Sequence, residues 1–163
     1  MEASRPARTD DAEAVAELAA RAAAELRRER GGWLWEQREA REALTADSAA
    51  ALIADDDALV FVGTIDGTVV GFAAVEFELL RDGSHLGRLR EIYVDTGARS
   101  VGVGEALIAD VEAACIARGC VGIDAVALPG QRATKNFFEG AGFTARSLMM
   151  HRRLDATDDR EQG

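Results

Sequence analysis

Residues 89–118 read LREIYVDTGARSVGVGEALIADVEAACIAR, and the division of this stretch into elements decides the fold. Leu89–Val94 has the apolar alternation of a strand, and Val103, Leu107, Val111 and Cys115 recur at the spacing of one helical face. Gly119 predicts the end of that helix. Between strand and helix lies a short turn with Arg99, Gly102 and Gly104 in the spacing R-x-x-G-x-G, and the helix starts inside it. The first backbone N–H groups of a helix have no partner within it, and the macrodipole adds positive potential there. Two glycines remove side chains that would hold an anion away, so a phosphate can rest on those amides, with Arg99 adding charge at the mouth. A glycine pair alone serves equally well to start a helix, so the surroundings must decide.

Towards the N-terminus, Ser4–Ala7 predicts a short extended edge strand. Asp10 with Glu13 then resembles a capping box, followed by Val15, Leu18, Ala19, Ala22 and Leu26 at helical spacing up to Gly31-Gly32. Trp33 to Leu44 predicts a second, heavily charged helix, and Asp47 to Ala54 a short third one. Ala58–Ile65 and Thr68–Leu79 are strands joined at Asp66-Gly67, a hairpin turn signal because both positions favour positive φ. Residues 81–87 predict a polar loop containing His85. Towards the C-terminus, Val121–Leu128 is a strand parallel to Leu89–Val94 if the connection is the usual right-handed crossover. Pro129-Gly130 breaks it, Gln131–Glu139 is a last short helix, and Gly142-Phe143 opens a final strand to about Leu154. With no repeat and no linker, residues 1–154 are expected to be a single domain, and polar Asp155–Gly163 a disordered tail.

The strand, turn and helix of 89–118 resemble motif A of the GNAT superfamily of N-acetyltransferases, whose pyrophosphate loop is written Q/R-x-x-G-x-G/A. Arg99, Gly102 and Gly104 fill its fixed positions, and Glu139-Gly140-Ala141-Gly142-Phe143 resembles the family's YEKxGF signature. The resemblance implies an α/β (α+β) GNAT fold: a mixed, mostly antiparallel sheet of six to seven strands with a splayed parallel pair, flanked by about four helices. It implies acetyl-CoA as co-substrate and no metal. The donor would be held by the backbone of Ile92, Tyr93 and Val94, by the loop Arg99, Ser100, Val101, Gly102, Val103 and Gly104, and against Phe138. Trp33 and Trp35 fall where family members roof the acceptor site, so they either touch substrate or staple the helix pair to the core.

Glu91 is the candidate general base. It lies in an otherwise apolar central strand, on the face of Tyr93, and a GNAT glutamate often occupies this neighbourhood. Equally, it suits a structural glutamate paired with Arg88 or Arg90. Asp124, His85 and Glu76 are weaker candidates. Two positions depart from the family pattern: the tyrosine that many members place in the last helix is Phe138 here, and the asparagine seven residues earlier is Gln131. Phe138 has no proton to donate, which leaves the acid unassigned.

Composition narrows the field further. At 163 residues and 48% apolar, the chain is long enough to bury a core. A net charge of −10 argues against nucleic acid and anionic membranes as partners, and no signal peptide or spanning run is present, so the expected place is the cytoplasm. Cys115 and Cys120 are too few for a disulfide framework. The partners expected are a primary amine of a small molecule or peptide and, through apolar Leu148, Met149 and Met150, a second copy in a homodimer. Beside an active N-acetyltransferase stands a non-catalytic acyl-CoA-binding or sensing module of the same fold. A mononucleotide-binding protein is disfavoured, because no G-K-[ST] is present.

Overall fold

The computed structural model describes residues 1–154, so the expected disordered tail Asp155–Gly163 lies outside the described residues. The described residues form five strands and five α-helices, in the order β1 (Glu2–Pro6), α1 (Ala12–Arg28), α2 (Gly32–Arg38), α3 (Ala46–Ala54), β2 (Ala58–Ile65), β3 (Thr68–Leu79), β4 (His85–Val94), α4 (Val103–Ala117), β5 (Cys120–Ala125) and α5 (Arg132–Gly140). The strands form one sheet in the order β1-β2-β3-β4-β5. Its first three pairings are antiparallel and β4–β5 is parallel. The chain divides into two compact units: Met1–Ala22 with Glu42–Val126, and Ala23–Arg41 with the chain from Ala127 onward.

In the first unit the sheet is covered on both faces. On one face Val15 and Leu18 of α1 pack with Val60, Val62, Phe72, Ala74 and Tyr93, and Leu52 and Ile53 of α3 close over them. On the other face lies α4, whose Val103, Leu107, Val111 and Cys115 are all buried, the stripe predicted from their spacing. Glycines on three adjacent strands let this helix come close. A Cβ built on Gly63 would stand 2.4 Å from Val103 Cγ1, and one on Gly87 would stand 2.6 Å from Cys115 Sγ. Gly63→Ala is therefore expected to force α4 outward and to lower stability by about 1–3 kcal/mol, the usual cost of overpacking. Urea unfolding monitored by circular dichroism reads it out.

A partly buried ion pair fixes the start of α1. Arg5 Nη1 and Nη2 donate to Asp11 Oδ2 and Oδ1 at 2.7 and 3.0 Å, and the Arg8 backbone N–H donates to Oδ2 at 2.7 Å. Asp11, not the expected Asp10, is thus the carboxylate that organises this helix entry; Asp10 is exposed, 3.7 Å from Arg8. The Arg5 hydrogen bonds chiefly hold the Asp11 carboxyl below its ordinary range. A depressed folded pKa stabilises above the unfolded value, about 3.9, and that stability disappears as pH falls through the folded value. Asp11→Asn should accordingly cost about 1.5–3 kcal/mol at pH 7, the scale of a charged hydrogen bond. Below pH 4 its urea midpoint should converge on that of the wild type.

Several boundaries differ from the sequence expectation. Among the described residues the sheet has five strands where six to seven were expected, and there are five α-helices where about four were expected. The difference in strand number falls on residues 143–154, which carry no ladder. Leu148, Met149 and Met150 are consecutive and 80–86% exposed, so they cannot alternate between a buried and a wet face. Strand β4 begins at His85 rather than Leu89, because its antiparallel partner β3 runs on to Leu79, opposite His85. Strand β5 stops at Ala125, not Leu128, where its ladder with β4 ends. Helix α2 stops at Arg38 instead of Leu44, although residues 39–44 contain no glycine or proline, and nothing in the structure explains the early end.

In the second unit, α5 closes in a Schellman motif. Gly142, at φ +92°, donates to the Glu139 carbonyl at 3.1 Å, and Phe143 N–H donates to the Phe138 carbonyl at 2.9 Å. The Phe138 and Phe143 rings, 5.2 Å apart, make the apolar contact that goes with this ending.

Candidate functional site

Strand β4 carries the site. Ala74 of β3 faces Glu91 while Val75 faces Leu89, so Arg90 is the extra residue of a β-bulge. The parallel ladder to β5 ends at the same level, with Leu89 opposite Ala125. Beyond it β4 runs on to Val94, past the last residue of β5. A one-residue slip exchanges the faces of all later side chains. Glu91 and Tyr93, opposite Ala74 and Phe72, therefore share the face covered by α1. Ile92 and Val94, opposite Ala73 and Gly71, lie on the α4 side.

The chain then leaves the sheet through a tightly bonded turn. Asp95 accepts from Thr96 N–H at 3.0 Å, donates its own N–H to the Val70 carbonyl at 2.8 Å and pairs with Arg21 of α1 at 2.9 Å. Its carbonyl accepts from Ala98 N–H at 2.8 Å, and Ala98 is buried. Arg99 Nε donates to the Val94 carbonyl at 2.8 Å, and its guanidinium carbon lies 5.3 Å from the centre of the Tyr93 ring. Ser100 follows at φ +68°, a left-handed conformation that costs a residue with a Cβ about 1–2 kcal/mol. Gly102, at φ +95°, is the N-cap of the fifteen-residue α4, and no side chain caps that helix.

This arrangement suits an anion. The opening amides of α4 are the orphan donors of a long helix, and a glycine stands where a serine or aspartate side chain would otherwise satisfy them. Ser100 and Val101 are exposed, and Gly102 and Gly104 half-buried. The loop residues 99–104 and the strand residues 91–94 thus lie in one continuous stretch of the first unit, separated only by the Asp95–Ala98 turn.

Glu91 is half-buried on the strand just beyond the bulge. Of the weaker candidates, Glu76 is engaged by Arg90 at 3.1 Å and Asp124 lies opposite Arg88 on β5. His85 is exposed at the first residue of β4. Nine residue steps separate it from Val94, about 30 Å of strand. It lines a shallow depression with Asp57, Phe77, Leu79 and Arg118, at the end of the strands away from the loop. The structure therefore does not bring His85 to the loop.

The remaining sequence candidates belong to the second unit. Trp33 and Trp35 are half-buried on α2, and Phe138 is buried on α5, 5.7 Å from the Phe137 ring. Sequence reasoning missed Arg21 and Asp95. The aspartate had a local signal, a carboxylate at the end of a strand before Thr-Gly, but nothing local marks an arginine 74 residues away. Burial pushes the Cys115 thiol up to about 11, with neighbouring Cys120 adding to it, so Cys115 is an inert core thiol rather than a nucleophile. Among the described residues no helix is long and apolar enough to cross a membrane.

Comparisons with known proteins bear on the same residues. A family model described as the acetyltransferase (GNAT) family matches residues 16–143. An acetyltransferase from Trypanosoma brucei is 23% identical, covering 94% of this chain and 100% of its own, with a TM-score of 0.64. A glucosamine-6-phosphate N-acetyltransferase from Arabidopsis thaliana is 18% identical over 95% of this chain and 99% of its own, at a TM-score of 0.67. A ribosomal-protein-alanine N-acetyltransferase from Brucella melitensis is 19% identical over 94% of this chain and 100% of its own, at 0.68. At these identities the structures share the fold. A search of curated proteins found no match.

Proposed function

The chain belongs to the acetyltransferase (GNAT) family, and from that premise we propose that it transfers an acetyl group from acetyl-CoA to a primary amine of a small molecule or peptide, by direct attack in a ternary complex. The observation that carries this is the end of the β4–β5 ladder at the Arg90 bulge, followed in the same stretch of chain by a helix N-terminus capped only by Gly102. The opened strand gives backbone groups of Ile92, Tyr93 and Val94 for the pantetheine arm, and the loop gives amides for the pyrophosphate. Acetyl-CoA supplies an activated thioester carbonyl. Holding it beside the amine makes the encounter effectively unimolecular, which accounts for much of an enzyme's rate.

Within this proposal Glu91 accepts the proton that the amine loses as it attacks, directly or through one water. A backbone N–H of β4 steadies the oxyanion. The leaving thiolate needs little help, because an unperturbed thiol has a pKa of about 8.5 and water can protonate it after departure. That fits a chain with Phe138 at the usual tyrosine position, where the ring lies against Phe137 and Phe143.

The same phenylalanine favours a second function, a non-catalytic acyl-CoA-binding or sensing module. Release of free thiol from acetyl-CoA, measured with and without a panel of primary amines, separates the two. Amine-dependent release supports the transferase, whereas tight binding without release supports the sensor.

A further inference from the structure

We propose that Arg99 is a positioning residue whose side chain ties the phosphate loop to the end of β4, rather than the loop's charged ligand for the anion. This rests on the assignment of that loop to the donor's pyrophosphate, but the tie itself is made within the chain's own residues. Its side chain meets the last two residues of the strand. The Nε–H donates to the Val94 carbonyl at 2.8 Å, and the guanidinium covers the Tyr93 ring at 5.3 Å. The side chain thereby closes a ring over residues 94–99, inside which Asp95 bonds Thr96 and Ala98. Immediately after the ring come Ser100, left-handed without being a glycine, and Gly102, which starts α4. A strained backbone persists only where its surroundings hold it in place. Arg99 is the residue next to the strained one and is anchored to the sheet.

The geometry separates hydrogen bond from charge. The Nε of arginine is five atoms along the side chain counting from Cα, the position held by Nε2 in glutamine and by a methylene carbon in lysine. Arg99→Gln keeps a donor there and loses the charge, while Arg99→Lys keeps the charge and loses that donor. Two measurements on the full chain decide the matter: amide hydrogen exchange of residues 95–103 without ligand, and acetyl-CoA affinity by calorimetry. Arg99→Gln should exchange at close to the wild-type rate and lose about threefold or less in affinity, whereas Arg99→Lys should exchange faster in this segment alone and lose about tenfold, a step of 1.4 kcal/mol. The opposite ranking would make Arg99 a charge ligand and overturn the proposal, as would two variants that both lose or both keep the affinity. If the wild type bound no acetyl-CoA at all, the loop's assignment would fail, and the exchange ranking alone would still decide the tie.

Discussion

Glu91→Gln is expected to keep the wild-type affinity for acetyl-CoA and to lower turnover by about 10²–10⁴, the usual contribution of a positioned general base. Glutamine preserves shape and hydrogen bonding but cannot take a proton. Glu91 stands just past the bulge, on the face it shares with Tyr93, so the substitution leaves the loop and the Ile92–Val94 backbone untouched. A ground-state amine is protonated near neutral pH and must lose that proton before it can attack. Raising the pH supplies free amine without enzymatic help, so the deficit should shrink at alkaline pH. Steady-state rates of both proteins from pH 6 to 10 provide the check. A variant within a factor of two throughout would return Glu91 to a structural role.

Gly104→Val is expected to abolish useful donor binding without disturbing the fold. Gly104 is the second residue of α4 and is not among the glycines of positive φ, so valine meets no backbone strain there. Its side chain would occupy the space over the opening amides, where two or more charge-assisted hydrogen bonds of about 1.5–3 kcal/mol each are lost. At about 3 kcal/mol in total, affinity falls at least about a hundredfold. Calorimetry with acetyl-CoA measures that loss, and circular dichroism should stay native. Valine at Gly102 would be a poorer experiment, because φ +95° there penalises any side chain irrespective of ligand. Unchanged affinity in Gly104→Val would remove the loop from the donor site.

What could be foreseen from the sequence depended on how local the cause was. The β2–β3 hairpin was legible to the residue, because Asp66 and Gly67 both adopt positive φ and fix the register from within the turn. The stripe of α4 was legible from its own spacing. The bulge at Arg90 was not, because it is a property of pairing with β3, and no residue type at position 90 announces it. The same holds for the Arg21–Asp95 pair and for the tie of Arg99 to Val94, which depend on where the folded chain places distant or rotatable groups. Residues 143–154 misled for the converse reason: apolar character suggested a strand, but a strand also needs a backbone to pair with.

The central claim, that the bulged strand and the glycine-capped helix together serve acetyl transfer to an amine, meets its most direct test in mass spectrometry of the reaction mixture. Wild-type protein, acetyl-CoA and a mixed panel of primary amines and peptides with free N-termini should yield free CoA and, in equal amount, an acceptor heavier by one acetyl group. This product is expected with the wild type and is expected to disappear with Gly104→Val. Binding of acetyl-CoA with no acetylated acceptor and no thiol release across the panel would contradict it, and would make the protein an acyl-CoA sensor instead.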